Sequence, residues 1–191
     1  MLAADLLLHG PITAVDVSIS TWFHDHGRPA FTAFMRAVST LHSTAWVLAL
    51  AAVAAAVLLW RREAAWALTL VPCVPGGMLL NAFIKSQFQR ARPSFDHPLV
   101  TLATSSFPSG HTTAATVSWG FALVWLFAHR SNRRERVLAC GVAVAMVLLT
   151  ALSRVYLGAH YVSDVLAAAA EGLAWLGLCF LLLGRWPWRG L

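Results

Sequence analysis

Long apolar runs separated by short polar clusters dominate this chain. Four runs, 44–60, 64–84, 111–128 and 137–157, are each long enough to span a bilayer, and a fifth at 160–183 is as clear. A helix needs roughly 20 apolar residues to cross about 30 Å of hydrocarbon. The second run contains Pro72, Pro75, Gly76 and Gly77, which predicts a kink or a widened helix. Residues 28–42 carry a different pattern. Phe31, Phe34, Met35, Val38 and Leu41 recur at three- and four-residue spacing, with Arg36 and His42 among them. That spacing predicts an amphipathic interfacial helix, with a short buried helix as the alternative. Residues 94–107 read as a polar loop between two spans. The expected fold is therefore all-α: a polytopic transmembrane bundle of five spans, preceded by a short amphipathic helix, in one domain over 1–191.

Composition agrees with a bilayer as solvent. Apolar residues make up 59% of the chain and charged residues 12%, with a mean hydropathy of +0.67. A soluble domain averages about 25% charged. The net charge is +6, which in a soluble protein would suggest nucleic acid. Here the basic residues sit in short loops between apolar runs, which fits membrane orientation instead. No nucleic-acid partner is expected. Cys73, Cys140 and Cys179 lie inside apolar runs and read as small core residues. Residues 1–15 lack a basic n-region and a clear cleavage site.

The loops then fix a topology. Arg61 and Arg62 join the first two spans. Arg130, Arg133, Arg134 and Arg136 join the third and fourth. Arg185 and Arg189 follow the fifth. These eight basic residues share one face, which should be cytoplasmic, with Trp60, Trp66, Trp186 and Trp188 as its aromatic belt. Lys85, Arg92, His111, Arg154 and His160 gather on the opposite, outer face. Five spans leave the N-terminus outside, and residues 1–15 are too short for a sixth. Either a short tail is translocated or the start lies upstream of Met1.

Cations placed on the outer face against the orientation rule call for a partner, and an anion is the natural one. His160 and Asp164 are four apart at the head of a helix, where a carboxylate can orient an imidazole as nucleophile or base. The same spacing also occurs as a plain helix pair worth a few tenths of a kcal/mol. His111 follows Pro108-Ser109-Gly110 at the start of another helix. Glycine there allows close approach of a ligand, and free N–H groups at a helix start bind anions. Ser109 also reads as an ordinary N-cap. Two His from separate helices suit a nucleophile and a general acid. Metal ligation competes, but no carboxylate or Cys set completes a coordination sphere. Arg92 and Arg154 suit bidentate recognition of phosphate or carboxylate, and Lys85, the sole lysine, acts as a point charge. Snorkelling at a span end would explain each cation singly, though not three converging on two His.

These clusters resemble the signature of the type 2 phosphatidic acid phosphatase superfamily: Lys-x6-Arg-Pro, then Pro-Ser-Gly-His, then Ser-Arg-x5-His-x3-Asp. Lys85, Arg92 and Pro93 match the first part, Pro108, Ser109, Gly110 and His111 the second, and Ser153, Arg154, His160 and Asp164 the third. The resemblance extends over roughly 15–183. Soluble acid phosphatases and vanadium haloperoxidases share the signature, but the spans resemble the membrane branch, which usually has six. The resemblance implies that His160 attacks phosphorus to form a phosphohistidine, oriented by Asp164. It implies that His111 protonates the leaving alkoxide. Lys85, Arg92, Ser109, Gly110 and Arg154 would hold the phosphate, with no metal or other cofactor. Ser153 would be a helix-end hydrogen bonder. Glu171, seven after Asp164, either backs the site or faces a neighbouring helix and is left outside the site.

The expected function is an integral membrane phosphatase acting on a lipid phosphomonoester or pyrophosphate. Undecaprenyl pyrophosphate, phosphatidic acid, phosphatidylglycerol phosphate and a lipid A phosphate are all candidates. The expected location is a bacterial inner membrane with the site on the periplasmic face. A lipid phosphotransferase and a non-catalytic binder of anionic lipid are the alternatives.

Overall fold

In a computed structural model, residues 11–100 and 102–183 are described, and every regular element among them is helical. In chain order these are α1 (Pro11–Asp25), α2 (Pro29–Leu41), α3 (Thr44–Trp60), α4 (Ala64–Phe88), α5 (Gly110–His129), α6 (Arg133–Tyr156) and α7 (Val162–Leu182).

By length and apolarity α4, α6 and α7 can each cross a membrane. So can α2 and α3 together, as a pair bent by 48° at a short break. Among the described residues this gives three spans, or four with the bent pair, where the sequence predicted five. The difference lies partly in α5. Its 20 residues are long enough, at about 1.5 Å rise per residue, but its first half is polar. It packs against α3, α4, α6 and α7, so Thr112, Thr113 and Thr116 are buried in protein. A central helix needs no continuous apolar surface, because it meets little lipid.

The amphipathic stretch forms α2 as predicted. Met35, Val38 and Ser39 are buried, while Phe31, Phe34 and Leu41 stay exposed. The buried side lies on α6, where the Tyr156 hydroxyl receives the Arg28 N–H at 3.0 Å and pairs with Thr32 Oγ1 at 2.9 Å. The helix α1 over 11–25 carries no strong sequence signal and was not expected.

Helix α4 runs continuously through Pro72 and Pro75. Gly76 and Gly77 have another use. The Trp175 ring of α7 lies over them, so a Cβ on Gly77 would fall 2.9 Å from Trp175 Cδ1 and from Val117 Cγ1. Trp175 Nε1 donates to the Pro72 carbonyl at 2.8 Å. Trp66 departs from the predicted belt. It is buried and meets Phe121 edge-on at 6.1 Å, because it sits on the inner face of α4. Trp60 is exposed. Trp186, Trp188, Arg185 and Arg189 lie outside the described residues, as do residues 1–10.

Candidate active site

The polar clusters meet at one end of the bundle. Helix α4 stops at Phe88, and Gln89 takes a left-handed conformation with φ 40°. That turn swings Arg90 and Arg92 back over the helix ends. The Pro-Ser-Gly-His segment opens α5, and its Ser109 N–H donates to the Asp164 carbonyl at 3.2 Å. The loop between α6 and α7 brings His160 in, with its N–H on the Arg154 carbonyl at 3.2 Å.

His160 and Asp164 pair, with Nδ1 3.6 Å from Oδ2. They do so differently from the helix-face reading, since His160 lies two residues before the first residue of α7. Asp164 sits in the first turn, and its Oδ2 also accepts the Tyr161 N–H at 2.9 Å and the Ser106 hydroxyl at 2.5 Å. Both residues are almost wholly buried.

Arg92 Nη1 lies 3.2 Å from His160 Nε2. A guanidinium can only donate, so Nε2 is the acceptor and carries no proton. The proton of the neutral ring is then on Nδ1, facing Asp164. The environment favours that neutral ring. Burial lowers the His160 pKa to about 4. The Asp164 carboxylate, 3.6 Å from Nδ1 and too far for a hydrogen bond in this structure, pulls it up, and Arg154 and Arg92 push it further down. The remaining Arg92 donors hold the Thr104, Ser105 and Ala159 carbonyls and the Thr104 hydroxyl.

Arg154 is buried, and its Nη1 donates to the Ser39 hydroxyl of α2. Its Nε and Nη2 have no hydrogen-bond partner among the described residues. A buried cation with orphaned donors is costly unless an anion completes it. Lys85 Nζ donates to the Ser105 carbonyl at 2.8 Å and has further donor capacity.

Ser109 occupies the N-cap position of α5 but makes no side-chain cap. Its hydroxyl accepts instead from Thr112 Oγ1 at 3.1 Å. Gly110 opens α5, and a Cβ there would lie 3.3 Å from Asn81 Oδ1. His111 follows it, half-buried and within electrostatic reach of Arg154, His160 and Arg92. Ser153 Oγ donates to the Thr150 carbonyl at 2.7 Å, as expected of a helix-end residue. Glu171 faces neighbouring helices, accepting from Asn81 Nδ2 at 3.0 Å and Thr113 Oγ1 at 3.3 Å. All eight predicted site residues thus lie in or beside this one cluster.

Sequence reasoning missed Asp16, Ser39, Arg90 and Ser106. Asp16 carries the clearest signal, an acid inside the apolar pattern Ile12-Ala14-Val15-Asp16-Val17.

Comparison with known proteins follows the same residues. The model of the PAP2 superfamily matches residues 64–188. Phosphatidylglycerophosphatase B of Bacillus subtilis (strain 168) is 31% identical over 160 residues, covering 82% of this chain and 76% of that protein. Decaprenylphosphoryl-5-phosphoribose phosphatase of Mycobacterium tuberculosis (strain ATCC 25618 / H37Rv) is 31% identical over 169 residues, 83% of each chain. In structure, the first transmembrane PAP2 type phosphatidylglycerolphosphate phosphatase from Bacillus subtilis superposes with a TM-score of 0.86. The match covers 96% of this chain and 91% of that one at 28% identity. The helices, the signature residues they gather and these relatives agree: the chain belongs to the PAP2 superfamily, among its membrane-integral phosphatases.

Proposed function

We propose that this protein hydrolyses the phosphomonoester or pyrophosphate of a membrane lipid through a phosphohistidine on His160. The observation that carries the reading is the state of the His160 ring. Nε2 is unprotonated, its lone pair now accepting from Arg92 Nη1 and freed for attack once that guanidinium turns to the phosphate, and Nδ1–H faces a buried carboxylate. Nε2 attacks phosphorus, the ring becomes cationic, and Asp164 stabilises that charge. His111, charged once the phosphate anion is bound, gives a proton to the leaving oxygen and, then neutral, takes one from the water that cleaves the P–N bond. Inorganic phosphate leaves, and both His return to their starting states. Arg154, Lys85, Ser109 and the Gly110 N–H hold the phosphoryl oxygens as charge redistributes, and Arg92 joins them by exchanging its present protein acceptors for phosphate. Those side chains supply the positive charge that a metal supplies elsewhere, so turnover is expected to need none.

A lipid substrate suits the surroundings. A cavity of about 480 Å³, lined by apolar side chains of α3, α4, α5 and α6, extends from His42 to Arg61. Those two residues bracket α3, so the apolar lining runs along that helix. The relatives named above act, by their names, on phosphatidylglycerophosphate and on decaprenylphosphoryl-5-phosphoribose, both phosphates carried by lipids. The basic loops at Arg61–Arg62 and Arg130–Arg136 support a cytoplasmic side at the opposite end of the bundle. The site then faces the periplasmic side of a bacterial plasma membrane.

The test is phosphate release from a panel in detergent with EDTA present. The panel contains phosphatidic acid, phosphatidylglycerol phosphate, undecaprenyl pyrophosphate and a lipid A phosphate. Release from at least one, inhibited by vanadate as a mimic of the five-coordinate phosphoryl centre, is expected. Activity lost in EDTA and restored by a divalent cation would contradict the mechanism. Transfer of phosphate to an added alcohol in place of water would favour the phosphotransferase.

A further inference from the structure

Arg90 lies two residues before Arg92 yet faces away from the anion site. Its Nη2 donates to Asp16 Oδ2 at 2.9 Å, and its Nη1 to Asp164 Oδ1 at 2.5 Å and to the Ser163 hydroxyl at 2.8 Å. The guanidinium also stacks 4.3 Å above the Tyr161 ring. Its main chain contributes as well, since the Arg90 carbonyl accepts the Ser106 N–H at 2.8 Å. Ser106 then gives its hydroxyl to Asp164 Oδ2. Asp16, on α1, is buried and accepts both the Ser163 N–H at 3.0 Å and the Ser163 hydroxyl. It lies outside the 64–188 stretch that the family model matches.

Arg90 and Arg154 make an instructive contrast. Arg154 has two buried nitrogens without a partner among the described residues, whereas Arg90 spends its fork on two carboxylates. A guanidinium held between two buried acids has little to offer a phosphate. It can instead fix the rotation of Asp164. With Oδ1 taken by Arg90, Oδ2 is the oxygen left to face His160 Nδ1. We propose that Arg90, clamped by Asp16 of α1, is a positioning residue that sets the Asp164 carboxylate against His160. The inference rests on the reading that Asp164 orients His160.

The test uses the full chain in detergent and the panel member that the wild type hydrolyses fastest. Arg90→Gln is expected to lower kcat by about 10- to 100-fold, the range known for outer partners of metal ligands and carried over here to a partner of Asp164. KM should stay near wild type, because Arg90 does not touch the substrate. Millimolar guanidinium should recover part of the kcat of Arg90→Ala, and Arg90→Lys should fall between wild type and Arg90→Gln. A wild-type kcat in Arg90→Gln overturns the inference. So does a loss that tracks a lower melting temperature and ignores guanidinium, since that is a folding role. Should the Arg90 variants fail to fold, Asp16→Asn decides. It keeps an acceptor for Ser163 and removes the charge that clamps Arg90, so a several-fold drop in kcat at unchanged KM is expected. A wild-type rate overturns the inference. Asp164→Asn separates the two levels: if it is fully active, the dyad reading fails; if it is impaired while Arg90→Gln is not, only this inference fails.

Discussion

At the scale of single residues, the site sets a neutral histidine among three cations, of which Arg154 has donors without a partner among the described residues. Arg154 is the sharpest case, because its Nε and Nη2 are orphaned in the described structure. Arg154→Ala is expected to cost roughly a hundred- to a thousand-fold in kcat, the usual cost of a transition-state donor. Arg154→Lys should recover little, because an ammonium cannot present a fork. Steady-state kinetics of the two variants check this. The His160 shift makes a second prediction. Its folded pKa of about 4 lies below the ordinary value of 6.5. Between those values the unfolded chain binds a proton that the native site refuses, so stability is full above pH 6.5 and falls as pH drops toward 4. Melting curves of wild type and His160→Gln across that window should differ in slope, with the variant flatter; equal slopes would count against it. The eleven signature residues were legible in the sequence because their spacing is local. Arg90 with Asp16 was not, since those two are 74 residues apart in the chain and nothing local names a partner. Ser39 under Arg154 was hidden for the same reason.

At the scale of elements, close crossings decide the bundle. Helix α7 approaches α4 and α5 where glycine removes the obstacle. A Cβ on Gly77 would meet Trp175 and Val117 at 2.9 Å, and one on Gly172 would meet Thr116 at 2.9 Å. Gly77→Ala and Gly172→Ala should each destabilise by about 1–3 kcal/mol as overpacking does. Gly141→Ala, with nothing within 4 Å, should be neutral or mildly stabilising. Thermal melts in one detergent compare all three. The apolar runs predicted α3, α4, α6 and α7 well, because lipid-facing helices must be apolar along their length. They predicted the role of α5 poorly, since a helix surrounded by protein obeys packing rather than lipid exposure. Helix α1 escaped notice because its pattern is short and its anchor, Asp16, is a long-range ion pair.

At the scale of the whole molecule, the account is of a bundle that carries a phosphate-transfer centre at one membrane face. Orientation can be checked by cysteine labelling with an impermeant reagent in intact cells. Residue 97 should label and residue 133 should be protected; the reverse pattern would place the site inside. The central claim is the phosphohistidine. It is tested most directly by rapid quenching of the enzyme with ³²P-labelled lipid phosphate, followed by digestion and mapping of the label. The account predicts an acid-labile, base-stable phosphoenzyme on the peptide carrying His160. It should be absent in a folded His160→Ala variant without turnover, and formed more slowly in Asp164→Asn. Near wild-type hydrolysis by His160→Ala, or label on another residue, would contradict it.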